Sequence, residues 1–316
     1  MSNLDTTPSL THVGSSGVSA QPAHELFAGR EVKLGESTKV RRLLPNLGRR
    51  LVGAWCFVDH YGPDDISTTG GMAVPPHPHM GLQTVSWLLE GEVHHRDSLG
   101  SDAIIRPGEL GLMTAGHAIT HAEYSPVPHP ALLHGVQLWV ALPEAARNGS
   151  PAWEQHTALP QFVDGPMDVT LMLGSLAGET SPGTTHSDLV GVSVVLSGSG
   201  SLPLEPDFEH ALLVMSGSVE VDGEVLGVGS MLYLGCGRRD LALTGNAQLM
   251  LLGGEPFDEQ IVMWWNFVGR TGEEIAVARE EWAAGQRFGA VPDAGARLAA
   301  PPLPPGSLKP GGRTRR

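Results

Sequence analysis

Residues 74–123 read VPPHPHMGLQTVSWLLEGEVHHRDSLGSDAIIRPGELGLMTAGHAITHAE, and the class of fold is decided there. The stretch opens on a His-x-His pair, His77 and His79, and closes on a His-x-Glu pair, His121 and Glu123. Between the pairs, short apolar runs break at Gly91, at Pro107-Gly108 and at Gly116, which is the pattern of successive strands joined by turns. In a strand, residues i and i+2 project from one face. Each pair therefore points one way. If both pairs face the interior from neighbouring strands, three imidazoles and one carboxylate converge.

Such an N₃O set suits a first-row divalent metal, with Fe, Mn, Ni, Cu, Co and Zn all compatible. Three neutral donors and one anion leave the ion at net +1, and a six-coordinate ion keeps about two positions open for water, substrate or O₂. Pro78 has no N–H to give to a ladder, so its strand is expected to start irregularly or lie at a sheet edge. Gly81 permits a bend just after it. A lone His-x-His pair is common on surfaces and carries little weight. The second pair, across a pattern that folds the two together, is what gives the first its meaning.

The same pattern returns further along. "WLLEGEV" followed by "RPGELGLMTAG" is echoed by "LLVMSGSVEV" followed by "GVGSMLYLGCG", and Gly108 to Gly116 has the spacing of Gly229 to Gly237. Two barrels or sandwiches of antiparallel strands are expected, with a boundary between residues 145 and 165. Aligning Gly116 with Gly237 places Ala242 and Thr244 where the first copy has His121 and Glu123. Aligning Gly91 with Gly217 places Pro203 and Glu205 where it has His77 and His79. The second unit is thus expected to keep the fold without the metal, and His210 in it to be structural.

Composition agrees. The 316 residues suffice for two domains or one large all-β unit, and 41 Gly and 25 Pro favour many turns. A net charge of −14 argues against direct nucleic-acid binding, because phosphate recognition needs a cationic face. Two distant cysteines, Cys56 and Cys236, point to a reducing compartment rather than a disulfide framework. No apolar run approaches the ~20 residues that span a bilayer, and the first residues lack the pattern of a secretory signal. A cytoplasmic location is expected, with no membrane partner. Residues 1–28 are polar and aperiodic and are expected to be disordered. The Pro/Gly-rich segment 291–316 is expected to be a flexible tail. One helix is predicted, in "TGEEIAVAREEWAAGQRFG", with Ile275, Ala278 and Trp282 at helical spacing.

On "PPHPHMGLQTVSWLLEGEVHHRDSLGSDAIIRPGELGLMTAGHAITHAE", together with "VRRLLPN", "LVGAWCFVDHYGP" and "GGEPFDEQIVMWWNFV", the chain resembles the pirin family, a branch of the cupin superfamily. The resemblance spans residues 30 to 290. It implies an all-β bicupin of two double-stranded β-helix barrels in tandem, with a short C-terminal helix. A metal-binding barrel would occupy 29–150, and a metal-free barrel plus the helix 151–290. The implied ligands are His77, His79, His121 and Glu123, with Fe(II) the expected ion.

Several pirin-like proteins resemble quercetin 2,3-dioxygenases, so the resemblance implies flavonol and O₂ as substrates, with Glu123 accepting the flavonol proton. The alternative is a metal-dependent regulator that binds a protein partner without catalysis. Monomer is the expected state. The chain departs from the family's "AGxGI" turn with "AGHAI", and His117 there is expected to face solvent. His95 and Asp97 share a face by alternation and are candidates for orienting ligands or water, with an exposed turn, also holding His94, the equal alternative. Asp59 and His60 are candidates for the neighbourhood of the site. Trp55, Phe57, Trp87 and Trp139 read as core.

Overall fold

The computed structural model describes residues 4–8, 10–13, 21–34, 38–46 and 48–304. Strands dominate throughout, and the single helix of the described residues, Gly272–Ala283, comes after all of them. A seven-stranded sheet runs in the order Ala152–His156, Leu110–Thr114, Leu82–Glu90, Leu132–Ala141, Trp55–Asp65, Thr38–Leu44, Arg30–Leu34. A four-stranded sheet of Ala73–His79, Ile119–Tyr124, Val93–Asp97 and Asp102–Ile105 faces it and completes the first barrel. Between the two lies an apolar cluster with Tyr61, Val74, Leu88, Val93, Ile105 and Leu133.

The second barrel is one continuous sheet, whose long strands Leu189–Pro203, Glu209–Val221 and Asp240–Gly254 pair side by side. Its interior is aliphatic, filled by residues such as Val192, Leu212, Val214, Leu232, Leu249 and Leu251. The largest cluster joins the two barrels: Trp55, Val136 and Leu138 from the first meet Ala211, Leu213, Met231 and Met250 from the second. The Trp55 indole N–H donates across this junction to the Gly253 carbonyl at 3.0 Å. The Glu209 carboxylate accepts from the Gly53 amide and from the Tyr233 hydroxyl, both at 2.8 Å. Burying apolar surface on both sheets contributes roughly 25 cal/mol per Å², so the barrels are held as one body.

Three boundaries differ from the sequence expectation. Within residues 1–28, Thr11–Val13 pairs with Ile261–Trp264, and Pro22–Ala28 adds an edge strand to the second barrel beside Ser230–Gly235. An edge strand needs only its backbone N–H and C=O groups to join a ladder, which is why a polar, aperiodic segment hides it. Residues 1–3, 9 and 14–20 lie outside the described residues.

Ala152–His156, expected in the second barrel, instead pairs with Leu110–Thr114 in the first. Ile261–Gly269 and the helix also return to the first barrel, where Met80 and Ala118 join Trp264, Phe267, Ile275 and Trp282 in one cluster. The tail from 291 does not hang free as far as it is described. Leu298 N–H donates to the Pro76 carbonyl at 2.8 Å, and the Tyr124 hydroxyl and Trp282 indole donate to the carbonyls of Ala294 and Leu298. Residues 305–316 lie outside the described residues.

The helix falls where periodicity predicts it. Thr271 caps it, its hydroxyl accepting from the Glu274 amide, and Ile275, Ala278 and Trp282 are buried. Gly81 sits at φ +72°, and an added Cβ would lie 2.0 Å from the Val268 carbonyl oxygen. The bend after His79 thus lets the returning C-terminal segment seal this end of the first barrel. Cys56 and Cys236 are both buried.

Candidate metal centre

Ala73–His79 is the outer strand of the four-stranded sheet, the place its prolines demand. Ile119–Tyr124 runs antiparallel beside it and has Val93–Asp97 on its other flank. His121 lies opposite both His77 and Asp97, and Glu123 lies opposite His95. Directly opposed residues share a face. His77, His79, His95, Asp97, His121 and Glu123 therefore share one wall of the first barrel, and all six are buried.

Three of these side chains converge closely. One nitrogen from each of His77, His79 and His121 lies within 4.8 Å of the others. The rings meet edge to face, with centroids 4.3 to 5.1 Å apart and interplanar angles of 61 to 83°. That arrangement directs nitrogens toward a common point rather than stacking the rings. Glu123 stands beside them, its Oε2 4.0 Å from His121 Nε2. Burial pushes the His77 imidazole down to about 4 against the opposing pull of Glu123. Burial, reinforced by neighbouring imidazoles, holds His79 and His121 well below the ordinary range. Neutral imidazoles with lone pairs are the form a metal needs.

The outer nitrogens are tied. The Nδ1–H of His77 donates to the Pro75 carbonyl at 2.8 Å, and that of His79 to the Asn266 carbonyl at 3.2 Å. Each bond places the ring's hydrogen on Nδ1, so that Nε2 carries the lone pair. His121 Nε2 is buried and has no hydrogen-bond partner among the described residues, an unmet acceptor that a metal ion would satisfy. The donor set, its protonation and this orphaned nitrogen all fit a divalent first-row ion.

The opposite wall carries polar and aromatic groups. Trp139 sets its ring 5.1 Å from His79 and stacks on Phe57 at 4.0 Å. The Arg42 guanidinium lies 4.5 Å over Phe57 and makes a two-pronged pair with Asp59, both bonds 2.8 Å. Beside them a cavity of about 470 Å³ is lined by Phe57, Trp139, Trp264, Trp265, Arg30 and Arg42 among others. The Tyr61 phenol is held well above its ordinary range by burial and by the negative charge of Glu123. It therefore stays protonated near the carboxylate.

The remaining candidates divide. His95 and Asp97 are buried beside the cluster, not in an exposed turn. His117 is exposed, its Nδ1–H donating to the Gly149 carbonyl at 3.1 Å. His94 pairs with Asp102 at 2.6 Å. His60 points elsewhere, its Nε2 2.9 Å from His134 Nε2. Asp59 lies in the barrel interior through its pair with Arg42, and Phe57 and Trp139, read as core, also line the cavity. Sequence reasoning missed Tyr61, which alternation from Asp59 would have placed. It also missed Trp153 and Asn266, which arrive from distant segments and carry no local signal. In the second barrel Glu205, Ala242 and Thr244 are exposed. No second cluster of three His, Cys, Asp or Glu donors occurs among the described residues.

Two tandem β-barrels, the first with a histidine cluster on its inner wall, define a bicupin. The Pirin family model matches residues 37–140, and that of the Pirin C-terminal cupin domain residues 192–289. A Pseudomonas aeruginosa protein named "Putative quercetin 2,3-dioxygenase" is 46% identical over 282 residues, covering 87% of this chain and 89% of its own. A pirin-like protein of Caulobacter vibrioides is 35% identical over 83% of this chain and 93% of its own. The crystal structure of a quercetin 2,3-dioxygenase from Acinetobacter baumannii superposes with a TM-score of 0.86 at 40% identity, covering 90% of this chain and 96% of that one. The chain belongs to the pirin family. No helix among the described residues is long and apolar enough to cross a membrane.

Proposed function

We propose that His77, His79, His121 and Glu123 hold one divalent first-row metal ion, Fe(II) in the first place, and that the chain is a dioxygenase of quercetin-like flavonols. The observation that carries this reading is the convergence of three neutral, buried imidazoles next to a buried carboxylate, found among the described residues in one of the two barrels. The names of the relatives support the choice of substrate. A bound ion of this kind supplies Lewis-acid and redox chemistry to a chelating hydroxyl and to O₂.

The chain's own residues do the rest. Glu123 accepts, on its carboxylate, the proton that a flavonol hydroxyl gives up. The Tyr61 phenol stays protonated and is no competitor for the proton. Phe57, Trp264 and Trp265 give flat apolar walls suited to a fused aromatic ring system. Burial of the whole wall excludes bulk water, which strengthens each polar contact inside.

The test is oxygen uptake by iron-loaded protein given quercetin. Uptake that disappears in His121→Ala supports the reading. Iron bound at one per chain with no oxygen consumed, whatever the flavonol, refutes the catalytic part.

A further inference from the structure

Two of the three clustered imidazoles have their protons placed by main-chain carbonyls, and the third does not. His121 Nδ1 faces another imidazole: it lies 3.4 Å from His95 Nδ1. The other nitrogen of that ring, His95 Nε2, lies 3.1 Å from Asp97 Oδ2. Asp97 Oδ1 is already engaged, accepting from the amides of Leu99 at 2.9 Å and Ser101 at 3.0 Å. The His95 ring is clamped flat against Trp153, with centroids 3.7 Å apart and planes 7° off parallel. His95 and Asp97 are both almost fully buried. The stack on Trp153 holds the His95 ring in place, and burial shields the three side chains from bulk solvent.

We propose that Asp97 and His95 are positioning residues that fix which nitrogen of His121 carries its proton, leaving Nε2 bare toward the cluster. The donor and acceptor inventory allows one arrangement when both rings are neutral. An ionised carboxylate only accepts, so the nitrogen facing it, His95 Nε2, bears a hydrogen. His95 Nδ1 is then an acceptor, so His121 Nδ1 bears a hydrogen and His121 Nε2 has none. The reverse arrangement sets the lone pair of His95 Nε2 against a carboxylate oxygen in a buried site, two acceptors with no proton between them. The consequence for affinity rests on the metal-site reading, whereas the proton arrangement itself belongs to the metal-free chain.

The substitution that tests this is Asp97→Asn, nearly the same shape. The amides of Leu99 and Ser101 hold the carboxamide oxygen where Oδ1 was, so the NH₂ group faces His95 Nε2. His95 must then accept there and donate from Nδ1, and His121 must accept at Nδ1 and carry its hydrogen on Nε2. The readout is two-bond ¹H–¹⁵N correlation of the imidazoles in full-length metal-free protein, above the ordinary imidazole pKa of about 6.5. His95 signals are identified by their loss in His95→Asn.

Wild type is expected to show hydrogen on His121 Nδ1 and His95 Nε2, and Asp97→Asn to show both reversed. Ni(II) affinity is expected to fall about 10- to 100-fold in Asp97→Asn. His95→Asn, which keeps an acceptor near the place of Nδ1, should lose less affinity than His95→Leu. Hydrogen on His121 Nε2 in wild type overturns the proposal. So does a folded Asp97→Asn protein with unchanged proton positions. If Asp97→Asn does not fold, the wild-type spectrum alone decides. The expected proton positions in a protein that takes up no metal would support this inference while refuting the metal-site reading.

Discussion

Arg42 and Asp59 form an ion pair inside the first barrel, with Arg42 5% and Asp59 0% exposed. Removing Asp59 takes away both of the charge-assisted bonds that the Arg42 guanidinium donates to it. For a buried pair that costs about 3–5 kcal/mol. Asp59→Ala leaves the guanidinium facing Phe57, with a weaker attraction from Asp5. At about 2 °C per kcal/mol for a chain of this length, Tm should fall by about 6–10 °C. Replacing both partners with apolar residues, Arg42→Met with Asp59→Leu, removes both buried charges and should cost less than Asp59→Ala alone. The assay is thermal unfolding of metal-free protein, read by circular dichroism. A drop of less than about 2 °C in Asp59→Ala, equivalent to about 1 kcal/mol, would show that water reaches the pair. The pair would then behave as a solvent-screened one despite its low exposure.

Two further outcomes follow from the packing. Burial pushes the His210 imidazole from 6.5 down to about 4. The unfolded chain therefore binds more protons between those values, and stability present above pH 6.5 is lost as pH falls toward 4. This group alone accounts for about 3 kcal/mol of that loss. His210→Leu should flatten the urea-unfolding profile across this window, and an unchanged slope would contradict the assignment. Gly81→Ala and Gly108→Ala both force a side chain into positive φ, +72° and +82°, but only Gly81 has an oxygen in the way. Gly81→Ala should lower Tm well beyond Gly108→Ala, and equal effects would deny the close approach at Val268.

The histidine cluster was legible because period two in a strand is a rigid geometric rule. Once His77, His79 and His121 are placed on neighbouring strands, the convergence of their rings needs no further information. The helix was legible for a similar reason, since Ile275, Ala278 and Trp282 mark one face at a period no strand can match. The outer strand Pro22–Ala28 was not, because backbone hydrogen bonds to a distant edge leave no side-chain pattern. The same holds for Ala152–His156. Its Trp153 clamps His95 from beyond the expected domain boundary, and nothing in the residues around it announces that partner. The docked segment beyond residue 290 escaped notice because its prolines and glycines describe an irregular path equally well whether free or held by main-chain carbonyls.

The most direct test of the central claim is elemental analysis of protein purified without a histidine tag, alongside the His77→Ala/His79→Ala double variant. About one first-row metal ion per chain is expected in the wild type, and none in the folded double variant. Equal metal content in the two proteins would remove the histidine cluster as the site.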